Sequence, residues 1–269
     1  MFTRIRLAAF AALTALTLLV SSASNAQPVL NRVVKSGTLR VGMSANQPPL
    51  NVKSKGGQMI GLEVDLAKGL GYALGLEVEL VQKPFGQLLP ALKKGQVDMV
   101  MSGVDITAER TKDFLFVGPY LLSGKSLVTA SKSLASAETV EDINTPDVSF
   151  VTLENSTSAA FVKTNVPKAK LVTVDTYEEA VAKVIDGSAS AMIADLPACI
   201  LAILKNPDAG LVTLEEPLSV EPMGIAVSAK DPRFHNLIDN YIDAIEATGI
   251  LSALRQKWFE DPAWLEELP

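Results

Sequence analysis

Short apolar runs that alternate with amphipathic helical stretches are the feature that most limits how this 269-residue chain can fold. TLRVGM and LEVELV read as strands, while GLEVDLAKGLGYAL and FGQLLPALKKG read as helices that stop at Gly75 and Gly95. Strands and helices in this order predict parallel sheets with helices on both faces. Such sheets bind ligands at the carboxyl ends of their strands.

Residues 148–195 repeat this alternation. VSFVTL, AKLVTV and SASAMIAD read as strands, and STSAAFVKTN and YEEAVAKVIDG between them read as helices. KSLVTASKS before this region and EPMGIAVSAKD after it read as strands that cross between two units. The pattern predicts two α/β lobes joined by two crossings, an arrangement that hinges.

The first residues have the parts of a secretory signal peptide. Two arginines precede an apolar run over residues 7–20, and a small-residue motif that ends at Ala26 follows it. The run is shorter than the ~20 residues that a membrane-spanning helix needs. No cysteine follows it for lipid attachment. We therefore expect cleavage after Ala26 and export to the periplasm.

Composition excludes several kinds of partner and site. Two of the 24 basic residues and none of the 30 acidic ones lie in the expected signal peptide, which leaves 22 basic against 30 acidic residues. This balance argues against nucleic acid and anionic membranes as partners. Cys199 and His235 are the only residues of their types, so we expect no intrachain disulfide, metal or cofactor. Cys199 is expected to be a buried apolar residue and His235 a surface helix residue.

The stretch VDMVMSGVDITAERTKDFLF, residues 97–116, carries polar side chains directly after an apolar strand. We expect a helix to begin just after Thr107, with Thr107 as its N-cap. The free backbone N–H groups and the positive end of the helix dipole would then face the ligand edge of the sheet. Arg110 adds a planar fork of donors that suits a carboxylate. The stretch therefore predicts an anion site.

Six motifs between about residues 34 and 259 carry a family resemblance. They are GTLRVGMSANQPPL, GLEVDLAKGLGYAL, LENSTSAAF, AMIAD, GILSALRQKWFED and the most specific one, FGQLLPALKKGQVDMVMSGVDITAERTKDFLFVGPY. In these motifs the chain resembles the periplasmic solute-binding proteins of polar amino-acid ABC transporters, family 3. The resemblance implies a two-lobed α/β fold of type II, with two mostly parallel sheets flanked by helices and joined by two hinge strands. It also implies that the lobes close on a ligand held in the cleft.

The resemblance implies which residues hold the two ends of an amino acid. Arg110 matches the arginine that binds the α-carboxylate, and Asp195 matches the acid that binds the α-amino group. Asp195 also precedes Leu-Pro, a common helix start, so helix capping is the alternative role. Gly103 would let the backbone approach the carboxylate closely. Asp105 stands where relatives often have Ser or Thr, and its charge would partly neutralise Arg110.

Three further positions carry over from the family, and two others depart from it. Phe85 matches an aromatic residue that stacks on the ligand side chain, although it also suits the core of its helix. Ser156 and Thr157 match a hydroxyl-rich helix start that bonds the carboxylate or simply caps the helix. Ser44 and Gln47 stand where many relatives have an acid and an aromatic residue. They weaken the case for a cationic ligand clamped by aromatic faces. The stretch DITAER, residues 105–110, points the other way, because it resembles the arginine-binding branch of the family.

These features predict a periplasmic binding component of an ABC transporter that captures an amino acid or a similar small zwitterion without catalysis. Its expected partners are the ligand and a membrane permease, and its expected state is a monomer. The expected division is a signal peptide at 1–26, a first lobe over 27–128, a second lobe over 129–223, and a return with a C-terminal tail over 224–269. We expect Trp264 and Leu265 to pack this tail back on the molecule.

Two alternatives stay open. One is an enzyme like cyclohexadienyl dehydratase on the same scaffold, although LPACIL after Asp195 lacks the glutamate that serves those enzymes as general acid. The other is a soluble periplasmic ligand sensor.

Overall fold

A computed structural model describes residues 28–214 and 216–268, so the predicted signal peptide lies outside the described residues. The α-helices are α1 (Val29–Ser36), α2 (Leu62–Leu74), α3 (Phe85–Lys93), α4 (Lys132–Ala135), α5 (Val140–Ile143), α6 (Thr157–Asn165), α7 (Tyr177–Ile185), α8 (Leu196–Lys205), α9 (Pro232–Ala247) and α10 (Ile250–Phe259). The strands are β1 (Thr38–Met43), β2 (Asn46–Gln47), β3 (Asn51–Lys53), β4 (Met59–Ile60), β5 (Glu77–Gln82), β6 (Met99–Val100), β7 (Phe114–Ser123), β8 (Lys125–Thr129), β9 (Ser149–Leu153), β10 (Lys170–Val174), β11 (Ala191–Asp195), β12 (Val212–Thr213) and β13 (Glu221–Ser228).

The strands form one five-stranded sheet in each lobe, and a small three-stranded sheet of β2, β3 and β4. The order in the first lobe is β5-β1-β6-β13-β7, and that in the second is β10-β9-β11-β8-β12. The two-lobed α/β architecture is therefore confirmed. Each large sheet is mixed, with β5, β1 and β6 parallel in the first and β10, β9 and β11 parallel in the second. The other pairings are antiparallel because β8 and β13 run back from the crossings between lobes.

The crossings lie slightly earlier than the expected boundaries at 128 and 223. Strand β7 belongs to the first sheet and β8 to the second, with only Gly124 between them. The chain returns to the first sheet at β13, which begins at Glu221. A Cβ atom on Gly124 would stand 2.1 Å from the carbonyl oxygen of Ser219. Glycine therefore allows the two crossing segments to touch at the hinge.

Local signals explain several of the helix ends. Helix α2 ends at Gly75, which has a φ of 65° and donates its N–H to carbonyls in the last turn of that helix. Helix α6 begins after Ser156, whose hydroxyl accepts from the N–H of Ala159. Helix α9 begins after Asp231, which accepts from the N–H of Phe234. The glycine stop at Gly75 and the helix start at Ser156 are those that the sequence predicts, and the cap at Asp231 is an additional one.

The α-helix expected after Thr107 is wrong. A three-residue 3-10 turn, Arg110–Lys112, stands in its place. The Thr107 hydroxyl does accept from the Arg110 N–H at 3.2 Å, as an N-cap would. Strand β7 begins at Phe114, however, so the segment is too short for an α-helix with a dipole of useful size.

The C-terminal tail packs back on the molecule as expected. The Trp264 ring lies 5.8 Å from that of Trp258. Leu265 packs with Leu268, Val52 and Leu201, the last of which belongs to the second lobe. Cys199 is free and buried, as predicted. Across the described ranges, no helix has the length and apolarity to cross a membrane.

Candidate functional site

A buried lysine joins carboxylates from the two lobes. The ammonium of Lys125 lies 2.9 Å from Oδ2 of Asp105 in the first lobe and 2.6 Å from Oδ1 of Asp195 in the second. The Lys125 side chain is 1% exposed and that of Asp105 2%. Buried charges require partners of this kind. The three groups form the centre of the candidate site.

The sheet of the second lobe fixes Lys125 against Asp195. The two residues are opposite one another in the antiparallel pairing of β8 with β11. Burial disfavours the charged ammonium, but the charges of Asp195 and Asp105 outweigh it and raise the pKa of Lys125 above its usual value. Lys125 therefore carries a positive charge at neutral pH.

Asp105 is the carboxylate that the first lobe supplies. Its backbone bridges to Met223 of β13, and its Oδ2 accepts from Lys125 and from the hydroxyl of Thr157 at the start of α6. Its other oxygen, Oδ1, is buried without a hydrogen-bond partner among the described residues. An unsatisfied buried carboxylate oxygen is costly, so Oδ1 is a strong acceptor for a donor placed here.

Asp195 lies at the end of β11 and directly before α8. Its side chain makes no capping bond to that helix, although the alternative role from sequence was an N-cap. Burial is the main cause that raises its pKa to about 6, and Lys125 works against the rise while Asp105 adds to it. The carboxylate therefore faces the charge cluster instead of the helix.

Arg110 lies beside this cluster and reaches both lobes. Its Nη1 donates to the Asp105 carbonyl at 2.9 Å, and its Nη2 lies 3.5 Å from the Asn155 carbonyl of the second lobe. Burial lowers the pKa of Arg110, and the charges of Asp105, Asp195 and Glu221 oppose that effect. Arginine remains protonated in proteins, so the site holds a second cation.

Phe85 and Arg110 line one cavity between the lobes. The cavity has a volume of about 230 Å³, and Val104 of the first lobe and Asn155 of the second also line it. Phe85 begins α3 and packs in a cluster that includes Leu153 of the second lobe. Larger cavities of about 340, 550 and 600 Å³ do not include Arg110, and the carboxylates of Asp105 and Asp195 line neither these cavities nor the one beside Phe85. Charge, not volume, therefore identifies the candidate site.

A second buried network holds the loop that carries Asp105. Glu63 of α2 accepts from the N–H of Gly103 at 2.7 Å, from the hydroxyl of Tyr120 and from the amide of Asn51. The Gly103 N–H is therefore occupied within the protein. Gly103 has a φ of 58°, and a Cβ atom there would meet Leu50 at 3.0 Å, so glycine suits the conformation and the tight packing of this loop.

Ser44 and Gln47 lie in the same buried region. Ser102 donates to the Ser44 hydroxyl at 2.9 Å or to Oε1 of Gln47 at 3.0 Å. Burial raises the pKa of the Tyr177 phenol in the second lobe, and Gln47 works against that rise. The hydrogen bonds of Ser44 and Gln47 with Ser102 lie within the first lobe.

The structure distributes the predicted residues over four settings. The charge cluster contains Asp105, Asp195, Arg110 and Thr157; Phe85 lines the adjoining cavity; and Gly103, Ser44 and Gln47 belong to the buried first-lobe network. Ser156 is committed to capping α6, and its hydroxyl also donates to the Leu153 carbonyl at 2.6 Å.

Sequence reasoning missed Lys125, Glu63 and Tyr177. Lys125 is the first residue of KSLVTASKS, where the sequence suggests an ordinary polar residue at the end of a strand. Glu63 sits on the buried face of a helix, where an acid between Leu62 and Val64 is unusual and is the one available signal. Nothing in the order of residues indicates that either side chain meets partners up to 70 positions away.

Comparisons with known proteins agree with this architecture. Residues 39–261 match the model of the bacterial extracellular solute-binding proteins, family 3. The chain is 27% identical over 250 residues to the cyclohexadienyl dehydratase of Pseudomonas aeruginosa, covering 93% of both chains. It is 28% identical over 225 residues to ABC transporter arginine-binding protein 1 of Escherichia coli, covering 82% of this chain and 90% of that one.

A solved relative shares both fold and sequence. The structure of the ancestral amino acid-binding protein AncCDT-1, a precursor of cyclohexadienyl dehydratase, superposes with a TM-score of 0.78 at 34% identity. It covers 87% of this chain and 100% of that chain. The family model spans most of the described residues and the lobes have the matching architecture. The chain belongs to the bacterial extracellular solute-binding proteins, family 3.

Proposed function

We propose that the protein captures an amino acid or a related small zwitterion in the cleft between its lobes. It acts in the periplasm as the soluble, monomeric binding component of an ABC transporter and delivers the solute to a membrane permease. The family and its arginine-binding relative support this function. The single observation that carries it is the charge cluster in which Arg110, Asp105 and Asp195 meet across the lobes.

Each end of a zwitterion has a partner in this cluster. The free donors of the Arg110 fork suit a carboxylate. Asp105 and Asp195 suit an ammonium group, and Oδ1 of Asp105 needs a donor. Because the acids come from different lobes, the ammonium would favour the closed form over the open one. Differential affinity of that kind is what shifts a hinge equilibrium.

A thermal-shift screen tests the function directly. A solute that binds the folded state raises the melting temperature by mass action, and at 100 times its dissociation constant it adds about 2.7 kcal/mol. We expect at least one amino acid to raise the melting temperature of protein that was unfolded and refolded to remove co-purified solute. A panel of amino acids, opines and small carboxylates in which no amino acid produces a shift would overturn the proposal.

Asp195→Asn is expected to distinguish the ends of the ligand. Loss of the negative charge should weaken binding of amino acids by about tenfold or more, but change binding of the deaminated analogues by less than about threefold. Isothermal titration calorimetry of both solute classes measures the difference. Equal weakening of binding for both solute classes would contradict the proposed contact between Asp195 and the ammonium.

The pH dependence provides a companion measurement. The pKa of Asp195 is raised to about 6, so the carboxylate is charged above that pH and protonated below it. Amino-acid affinity should therefore fall as the pH falls from about 7.5 to 5, by up to about tenfold for each pH unit below the pKa. In Asp195→Asn this part of the profile should be flat.

A dehydratase is the second candidate, and two observations favour it. The relative from Pseudomonas aeruginosa carries that activity in its name, and the Asp195 carboxyl has a pKa suited to proton transfer. Against it, Leu-Pro-Ala follows Asp195, where the enzymes resembled by this chain have a glutamate. Incubation with prephenate and with arogenate decides the matter: dehydration of either would identify an enzyme, and its absence is expected.

A further inference from the structure

We propose that Lys125 determines specificity: its ammonium takes one of two cation positions between Asp105 and Asp195, so the site accepts amino acids with an uncharged side chain and rejects dibasic ones. This inference rests on the proposed function and narrows the class of solute. It starts from the contacts of Lys125 with both carboxylates, at 2.9 and 2.6 Å.

The position of Lys125 is built into the fold. Its residue pairs with Asp195 across β8 and β11, and its side chain is 1% exposed. An ammonium that stayed buried but left its two carboxylates would be an uncompensated charge, which is strongly unfavourable. Lys125 therefore stays between the acids when a solute binds, and the solute must accommodate it.

Charge balance then limits the solute. Asp105 and Asp195 contribute two buried negative charges, and Lys125 and Arg110 contribute two positive ones. Glu221 also acts on this region and, like Arg110, is partly buried, but its carboxylate already accepts from the Ser219 hydroxyl at 2.9 Å. A net-neutral zwitterion preserves the balance of Asp105, Asp195, Lys125 and Arg110. A second cation on the solute would require a further buried carboxylate.

The acceptor that remains suits a single ammonium. Oδ2 of Asp105 is occupied by Lys125 and Thr157, whereas Oδ1 is buried without a partner within the described part of the chain. The carbonyl of Asp105 accepts from Arg110 at 2.9 Å. Arg110, which would hold the carboxylate of the solute, and Oδ1 of Asp105, which would accept from its ammonium, therefore lie close together at Asp105. The short separation of the charges in an α-amino acid fits this arrangement.

Titration of glutamine and lysine tests the inference, because these solutes have similar length and differ in side-chain charge. We expect wild-type protein to bind glutamine more tightly than lysine by about tenfold or more. In Lys125→Met, the ratio of lysine affinity to glutamine affinity should rise by about tenfold or more, since a carboxylate is freed. Lys132→Met removes an exposed lysine of the same lobe and should leave the ratio unchanged.

The outcomes separate the inference from the proposed function. Wild-type protein that binds lysine as tightly as glutamine overturns the role of Lys125, while amino-acid capture stands. A ratio that Lys125→Met leaves within about threefold of wild type overturns it too. The comparison of glutamine with lysine uses wild-type protein only, so it tests the inference even if Lys125→Met does not fold. Absence of binding to every amino acid would overturn the proposed function and this inference with it.

Discussion

Arg110→Ala is expected to weaken amino-acid binding by about 2–5 kcal/mol, because the carboxylate of the solute would be buried without its cation. This loss corresponds to about a thirtyfold to several-thousandfold rise in the dissociation constant. The loss should appear mainly as faster dissociation, since the contact is made inside the closed cleft. Calorimetry or stopped-flow fluorescence with the best solute of the thermal screen measures it.

Two variants make this result specific to the fork of Arg110. Arg110→Lys keeps the charge but loses the paired donors, so its affinity should lie between those of wild type and Arg110→Ala. Arg233→Ala removes an exposed arginine from α9 and should leave binding unchanged. Arg110 also bonds to carbonyls of Asp105 and Asn155, so the folded state of each variant is checked by circular dichroism. A change below about tenfold for Arg110→Ala would remove this residue from the site.

Glu63→Ala is expected to lower the free energy of unfolding by about 3–5 kcal/mol, because it removes an acceptor that three buried donors share. These donors are the hydroxyl of Tyr120, the N–H of Gly103 and the amide of Asn51. Urea unfolding followed by circular dichroism measures the change. The loss should also weaken solute binding, since Gly103 belongs to the loop that carries Asp105.

Two further variants show whether the loss depends on the carboxylate of Glu63 and on its buried position. Glu63→Gln keeps one acceptor oxygen but turns an NH₂ group toward the Asn51 amide, so we expect an intermediate loss of about 1–3 kcal/mol. Glu77→Ala removes an exposed acid from β5 and should stay within about 0.5 kcal/mol of wild type. A loss below about 1 kcal/mol in Glu63→Ala would show that water satisfies these donors and that the network is dispensable.

The elements were predictable from sequence wherever a local pattern decides the local structure. TLRVGM and LEVELV form β1 and β5, and helices α2 and α3 lie where amphipathic periodicity placed them. Gly75 ends a helix and Ser156 caps one, since both effects act within a few residues. The segment after Thr107 was not predictable in this way, because the start of β7 at Phe114 cuts it short. Its pairing with β13 is a long-range effect.

For the candidate site too, the sequence indicated which residues matter but not all of their contacts. A family resemblance indicated Arg110, Asp195 and Asp105, and the structure brings these residues together. Gly103 was expected to approach a carboxylate, but its N–H is bound to Glu63. The distinction arises because a motif records which residue stands at a position, whereas the partner of a backbone N–H depends on a helix 40 residues away.

From the sequence alone came the two α/β lobes, the crossings between them and the prediction that Arg110 binds a carboxylate, because periodicity, turn residues and motifs are properties of neighbouring residues. Tertiary structure alone decided that Lys125 lies between Asp105 and Asp195, and that a buried glutamate holds the loop beside them. The physical reason is that the charge balance of a buried site depends on which side chains folding brings within a few ångströms. Lys125 and Asp195 are 70 residues apart along the chain and 2.6 Å apart in space.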